Sequence, residues 1–195
     1  SGGGGGSNNI YIPSSGGVSG SLSFTVTGIP YGVHSWYMSC HGNPNGLTTN
    51  TATYYFDVVQ TIAGSTNITS SGVYVLNQSI TDNKDATCIN ISASDVILDC
   101  KGYTIDGVSN AGTQGIRIAP SGGSITNITI NNCSMTNWDK GIGVFAGATN
   151  VTISNNTLSA NYAAPPLSAI HIENTSDMSV VNNNCSDNDV PGIYL

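Results

Sequence analysis

The chain is sparing with the groups that do acid–base chemistry. Among 195 residues there is one glutamate, Glu173, one arginine, Arg117, and three histidines, His34, His41 and His171. Arg117, His171 and Tyr194 share one position of a repeat set out below, with Gly143 between the first two and Glu173 two residues along from His171. A cation, an imidazole, a carboxylate and a phenol in one outward column suit the binding or cleavage of an acidic or neutral polysaccharide. As a catalytic set they fall short. Glycoside hydrolysis needs carboxylates close together, and Glu173 has no second glutamate. Arg117 and His171 lie two coils apart, about 10 Å at the usual strand spacing, too far for a direct proton relay. Asp95, Asp99 and Asp106 cluster in one coil, and Asp187 and Asp189 near the last. Turn formation and Asx bonding explain these aspartates better than catalysis does. Calcium on them stays open, but no complete ligand loop supports it. Asp139 and Lys140 read most simply as a turn before Gly141. Nothing resembles a Ser-His-Asp set, a phosphate loop or a nucleotide site. No catalytic residue, metal ligand or cofactor is assigned, and the expectation is a non-enzyme.

The rest of the composition explains what such a surface is made of. Asn (23), Ser (25), Thr (20) and Gly (24) together form 47% of the chain, while charged residues form 8% against roughly 25% in ordinary soluble domains. The net charge is −7. A basic patch for nucleic acid is missing, as is a cationic amphipathic helix for anionic lipid. The apolar runs are too short to span a bilayer.

Period-2 alternation dominates: Leu22-Ser-Phe24-Thr-Val26, Ile128-Thr-Ile130, Val151-Thr-Ile153, Ile170-His-Ile172. Asn, Gly, Ser and Asp clusters break these runs roughly every 8 to 12 residues, so the whole chain reads as β. From about residue 95 a repeat emerges. One element runs Val96-x-Leu98-x-Cys100, Ile128-x-Ile130-x-Asn132, Val151-x-Ile153-x-Asn155 and Met178-x-Val180-x-Asn182. A further apolar position follows at Tyr103, Met135, Leu158 and Cys185. A second element starts at Gly115, Gly141, Ala169 and Gly192. It puts Ile116, Ile142, Ile170 and Ile193 in one inward column and Ile118, Val144, Ile172 and Leu195 in the next. Coils of this length bury apolar residues only by stacking on one another. The column at Cys100, Asn132, Asn155 and Asn182 is expected to hold left-handed backbone and an amide ladder.

The runs "NITINNCSMTNWDKGIGV" and "NVTISNNTLSANY" followed by "AIHI" resemble the parallel β-helix repeat of pectate-lyase-like and related carbohydrate-active and cell-surface proteins. The stretch at residues 69–107 resembles the opening coil of such surface proteins. The resemblance implies a short right-handed parallel β-helix of about four coils over residues 63–195. It also implies a disulfide joining Cys88 and Cys100, a pair common in such proteins that would pin the opening coil. Cys185, on the inward column, reads as a buried free thiol. Cys40 and Cys133 are left undecided, and an odd count of five leaves at least one thiol free or bridged to another chain.

Residues 1–21 form a Gly/Ser-rich arm. Residues 22–62 hold three expected strands, at 22–27, 33–40 and 53–59, which resemble the last strands of an immunoglobulin- or fibronectin-type sandwich. Three strands with one apolar face leave an open edge. Ile10, Tyr11 and Ile12 could be donated to such an edge in another copy, or pair within their own chain. At the far end, Ile193 and Leu195 stand in a coil without a polar cap. The two open ends are expected either to join copies end to end or to mark a chain cut from a longer one.

Nine Asn-x-Ser/Thr acceptor sequences occur, against roughly five expected by chance from this composition. Asn67, Asn77, Asn90, Asn127, Asn150, Asn174 and Asn184 are the expected glycan carriers. Asn132 and Asn155 are set aside because their amides should be occupied in the ladder. The expectation is an extracellular, secreted structural glycoprotein. It would self-assemble into a filament or surface layer, with glycans and other copies of itself as partners. The alternative is a carbohydrate-active enzyme or adhesin fragment working through Arg117, His171, Glu173 and Tyr194.

Overall fold

The computed structural model describes residues 32–37, 39–41, 48–50, 53–162, 168–189 and 191–195. The expected strand at 22–27 and the donor residues Ile10, Tyr11 and Ile12 lie outside them.

The described residues contain nineteen strands. Four are antiparallel: β1 (Gly32–Trp36) pairs with β4 (Tyr54–Val58), and β2 (Ser39–His41) with β3 (Thr48–Asn50). Trp36 stacks on Tyr54 across the first pair at 4.9 Å between ring centroids. The strand expected at 33–40 is therefore two short strands.

Every described strand from residue 60 onward pairs in parallel. The first partial coil is β5 (Gln60–Ile62) and β6 (Thr66–Ile68). The second is β7 (Gly72–Leu76) and β8 (Thr87–Ile91). The third is β9 (Val96–Asp99), β10 (Thr104–Asp106) and β11 (Gln114–Ile118). The fourth is β12 (Ile125–Asn131), β13 (Ser134–Thr136) and β14 (Lys140–Val144). The fifth is β15 (Ala148–Ser154), β16 (Thr157–Ser159) and β17 (Ile170–Ile172). The last is β18 (Ser176–Val181) and β19 (Ile193–Tyr194). Like strands stack into three sheets: β5-β7-β9-β12-β15-β18, β6-β8-β11-β14-β17-β19, and the narrower β10-β13-β16. The result is a right-handed β-solenoid of about five turns, beginning three residues before the expected boundary at 63. It carries more coils than the four repeats show, because the coils before residue 95 lack the repeat's Asn and Gly marks.

The inward columns fall where the alternation put them. Ile89, Ile116, Ile142 and Ile170 are in register and fully buried, as are Leu98, Ile130 and Ile153. Burying one such side chain is worth roughly 1.5–3 kcal/mol, and each gains it only because the coils above and below close over it.

The corners depart from the expected column in an instructive way. Left-handed backbone stands at Asn132 (φ 53°), Asn155 (φ 56°) and Asn182 (φ 55°), but in the third coil it falls on Lys101 (φ 54°) rather than Cys100. That coil has two extra residues between β9 and β10: Asp99 pairs with Asn131 while Thr104 pairs with Ser134. The shift turns Tyr103 outward and puts Ile105 above Met135 in the core. The amide ladder also lies one residue later. Asn156 Oδ1 accepts from the Cys133 N–H (2.9 Å) and Asn183 Oδ1 from the Asn156 N–H (3.0 Å). Their amide groups donate to the Ile130 and Ile153 carbonyls. A second ladder, absent from the sequence reading, repeats this five residues on. Asn161 Oδ1 accepts from the Trp138 N–H, and Asn188 Oδ1 from the Asn161 N–H.

The expected Cys88–Cys100 disulfide is corrected. Cys100 bonds Cys133, with 4.7 Å between their Cα atoms. The reason is register: Cys100 follows β9 and Cys133 lies two residues past the end of β12, the strand stacked on β9, whereas Cys88 lies on a different sheet. Cys88 is a buried free thiol, its pKa pushed up to about 11 by burial, against a lowering hydrogen bond from Ser65. Cys185 is a half-buried free thiol, also raised by burial.

Candidate functional site

The third-coil aspartates do turn work. Asp95 Oδ1 accepts from Asn127 Nδ2 at 2.7 Å, and Asp106 Oδ1 accepts from Thr136 Oγ1 at 2.6 Å and Asn137 Nδ2 at 2.8 Å. Asp99 accepts from the Lys101 N–H and from Asn132 Nδ2, and pairs with Lys101 Nζ at 2.8 Å. Burial acts to raise its pKa, but the Lys101 and Asn132 bonds outweigh it and hold the carboxyl below its ordinary value. Among the described residues no group of three or more His, Cys, Asp or Glu is placed to hold a metal ion. Asp139 and Lys140 are not an exposed turn. Both are buried, Lys140 opens β14, and Asp139 Oδ2 accepts the Gly112 N–H at 2.7 Å.

The four residues singled out for chemistry do come together. Parallel pairing puts Asn67, Asn90, Arg117, Gly143, His171 and Tyr194 in one outward column across the β6-to-β19 sheet. Arg117 Nη1 donates to Asn90 Oδ1 at 3.0 Å, and its guanidinium sits over the Phe145 ring, 5.3 Å from the centroid. Phe145 fills the space that Gly143 leaves open: a Cβ on Gly143 would lie 2.7 Å from that ring. Next comes His171, 6.0 Å from Phe145 between centroids, and then Tyr194, stacked on His171 at 5.1 Å with the planes 5° apart. Glu173 Oε2 lies 3.6 Å from His171 Nε2.

Two features define what this column can do. Its ring spacing is close to the roughly 4.8 Å between strands, so His171 and Tyr194 face each other along the solenoid and turn their edges to solvent. His171 is also only 4% exposed, and its Nδ1, like Gln114 Oε1, is buried without a hydrogen-bond partner among the described residues. Sequence reasoning missed Phe145 and Asn90 as members. The available signal was Gly143, an outward position with no side chain, followed two residues later by an aromatic on the same face.

Three sheets of stacked parallel coils with inward Ile, Leu and Val columns and Asn corners define a parallel β-solenoid. The chain belongs to the right-handed β-helix family, whose family model, described as "Right handed beta helix region", matches residues 96–195. No curated protein and no solved structure matches the chain.

Proposed function

We propose that this chain is a structural module of a secreted or cell-surface glycoprotein that assembles with copies of itself into a filament or surface layer. The observation that supports this most is the outer column itself. Arg117, Phe145, His171 and Tyr194, the side chains with most chemical potential on the surface, are spent on one another as a ladder that ties coil to coil. The surrounding surface is uncharged Ser, Thr and Asn, whose acceptor asparagines, with Asn90 excepted, are exposed. In this reading Ile10, Tyr11 and Ile12, which lie outside the described residues, are the strand donated to a neighbouring copy. No helix among the described residues is long and apolar enough to cross a membrane. Light scattering and electron microscopy of the native material test the proposal. The expected result is stacked particles whose chain loses mass when its glycans are removed enzymatically. Isolated monomers at the bare mass overturn it.

A second reading, a polysaccharide-binding face of an adhesin or carbohydrate-active protein, is favoured by the unpartnered His171 Nδ1 and Gln114 Oε1 flanking Gly143. Affinity electrophoresis in acidic and neutral polysaccharide gels tests it. Retardation lost in Arg117→Ala and His171→Ala supports it, and mobility unaffected by polysaccharide removes it.

A further inference from the structure

Six of the nine acceptor asparagines form three pairs stacked in adjacent coils. Asn67 lies in register with Asn90. Asn127 faces Asn150, between the paired positions 126–149 and 128–151, and Asn132 faces Asn155, one residue past the Asn131–Ser154 pair. In every pair one amide is tied down and the other is not. Asn90 is half-buried and its Oδ1 accepts from Arg117. Asn127 Nδ2 donates to Asp95 and Asn132 Nδ2 to Asp99. Their stack partners Asn67, Asn150 and Asn155 are exposed and make no side-chain hydrogen bond among the described residues.

We infer that each stacked pair carries a single N-linked glycan, on Asn67, Asn150 and Asn155, while Asn90, Asn127 and Asn132 stay bare. The inference rests on the extracellular glycoprotein reading and gives it a site rule. In the transfer step Nδ2 attacks the anomeric carbon of a lipid-pyrophosphate-linked oligosaccharide. The N–C bond forms as the C–O bond to pyrophosphate breaks, and one Nδ2 proton leaves to the enzyme's base. The product amide has one N–H where it had two, and a sugar where the second hydrogen pointed. On Asn127 or Asn132 that sugar competes with the bond to Asp95 or Asp99. On Asn90 it must leave from an amide held under the Arg117 guanidinium.

The spacing adds a second constraint. Stacked asparagines are about 4.8 Å apart, roughly the width of one pyranose ring, so two glycans rooted on one pair collide at their first sugars. Transfer precedes folding, so the choice is made when the chain folds. Chains modified on the tied member lose a corner bond and are held back from export, and chains modified on the free member fold undisturbed. Asn155 thus changes role. Its neighbour Asn156 takes the ladder position, and Asn155 points its amide to solvent.

The test is occupancy mapping on the chain secreted from cultured animal cells. Peptide N-glycosidase F in heavy-oxygen water converts each occupied Asn to a labelled Asp, read by mass spectrometry. Labelling at Asn67, Asn150 and Asn155 at least tenfold above Asn90, Asn127 and Asn132 supports the inference. Comparable labelling of both members of a pair overturns it. So does labelling confined to the unpaired acceptors Asn77, Asn174 and Asn184, which would leave the glycoprotein reading standing. No label at any site overturns both. The variant Thr152→Ala removes the Asn150 acceptor without touching either asparagine. Loss of one glycan with no gain at Asn127 supports the tie as the reason, and transfer of the glycan to Asn127 overturns it. Thr157→Ala asks the same of Asn132 and keeps the test alive if the first variant is not secreted.

Discussion

Replacing Asn156 by alanine should cost far more than replacing Asn155, although the two are neighbours of the same type at the same corner. Asn156 is 1% exposed. Its side chain accepts from the Cys133 N–H at 2.9 Å and donates to the Ile130 carbonyl at 3.2 Å and to Asn183 Oδ1 at 2.9 Å. Alanine removes all three bonds and takes from the buried Cys133 N–H its side-chain acceptor. At about 1 kcal/mol net per hydrogen bond, plus a further ~1–2 kcal/mol for buried groups left unmade, the loss is about 4 kcal/mol. That is a large share of the roughly 5–15 kcal/mol that holds a domain. It corresponds to a fall in Tm of about 10 °C for a chain of this length. Asn155 is exposed and makes no side-chain bond among the described residues, so its alanine variant loses only the Asn preference for left-handed backbone at φ 56°, about 1 kcal/mol. Thermal unfolding followed by circular dichroism compares the two, and amide exchange at Cys133 locates the damage. A solenoid can open coil by coil, so the exchange measurement matters as much as the midpoint. If Asn156→Ala unfolds no earlier than Asn155→Ala, or leaves Cys133 as protected as before, the ladder is not what holds this corner.

Opening the Cys100–Cys133 bridge should cost roughly 3.5–4 kcal/mol by loop entropy, from its separation of 33 residues. A Cys100→Ser, Cys133→Ser double variant compared with wild type in denaturant checks this, and equal midpoints contradict it. Gly107→Ala should destabilise by about 2–3 kcal/mol of overpacking, because its Cβ would run into the Asn137 carbonyl and the Trp138 ring. A Tm equal to wild type would show that the corner yields. The Asp99 carboxyl is held below its ordinary value, so its contribution is present above the unfolded-state pKa near 3.8 and is lost as pH falls through the folded value. Acid unfolding of Asp99→Asn should therefore be less pH-dependent below about pH 4 than that of wild type, and parallel curves refute it. Cys88, with its pKa near 11, should resist thiol reagents in the folded state at pH 8 and react on unfolding, whereas rapid native labelling of that residue would mean its strand opens.

The period-2 alternation made the solenoid legible, and the spacing of Gly115, Gly141, Ala169 and Gly192 made its β6-to-β19 sheet legible almost to the residue. What stayed hidden was local count. Two extra residues in the third coil move the left-handed position from Cys100 to Lys101 and the inward position from Tyr103 to Ile105, and a repeat whose loops vary in length absorbs such an insertion without showing it. The same insertion hid the disulfide. The resemblance to β-helix surface proteins favoured Cys88 for Cys100, whereas stacking brings residues one coil apart to within strand spacing. In a solenoid the relevant neighbour is about 25–33 residues away and not twelve. The second ladder, Asn161 to Asn188, was readable in principle as an asparagine five residues after the first in two successive coils. Trp138 replaces it in the coil above and breaks the column.

The outer column shows why a correct residue list does not carry a function with it. Arg117, His171, Glu173 and Tyr194 were placed on one face from the repeat alone, and that is where they are. Ring orientation decides their use, and it comes from side chains no pattern addresses. With Gly143 empty, Phe145 leans across the gap and takes the guanidinium on one side and His171 on the other, so the aromatic faces close on each other. A sugar would stack on an aromatic face turned to solvent, and His171 turns one face to Tyr194 and the other towards Phe145. If that packing is what removes the column from ligand chemistry, Phe145→Ala should free it. The Arg117 and His171 groups would then gain solvent access, the solenoid would lose a few kcal/mol of aromatic packing, and any weak affinity for polysaccharide should rise. A variant that loses stability and gains no affinity would leave the ladder as purely mechanical, and one that loses neither would mean the rings do not bind the coils together at all.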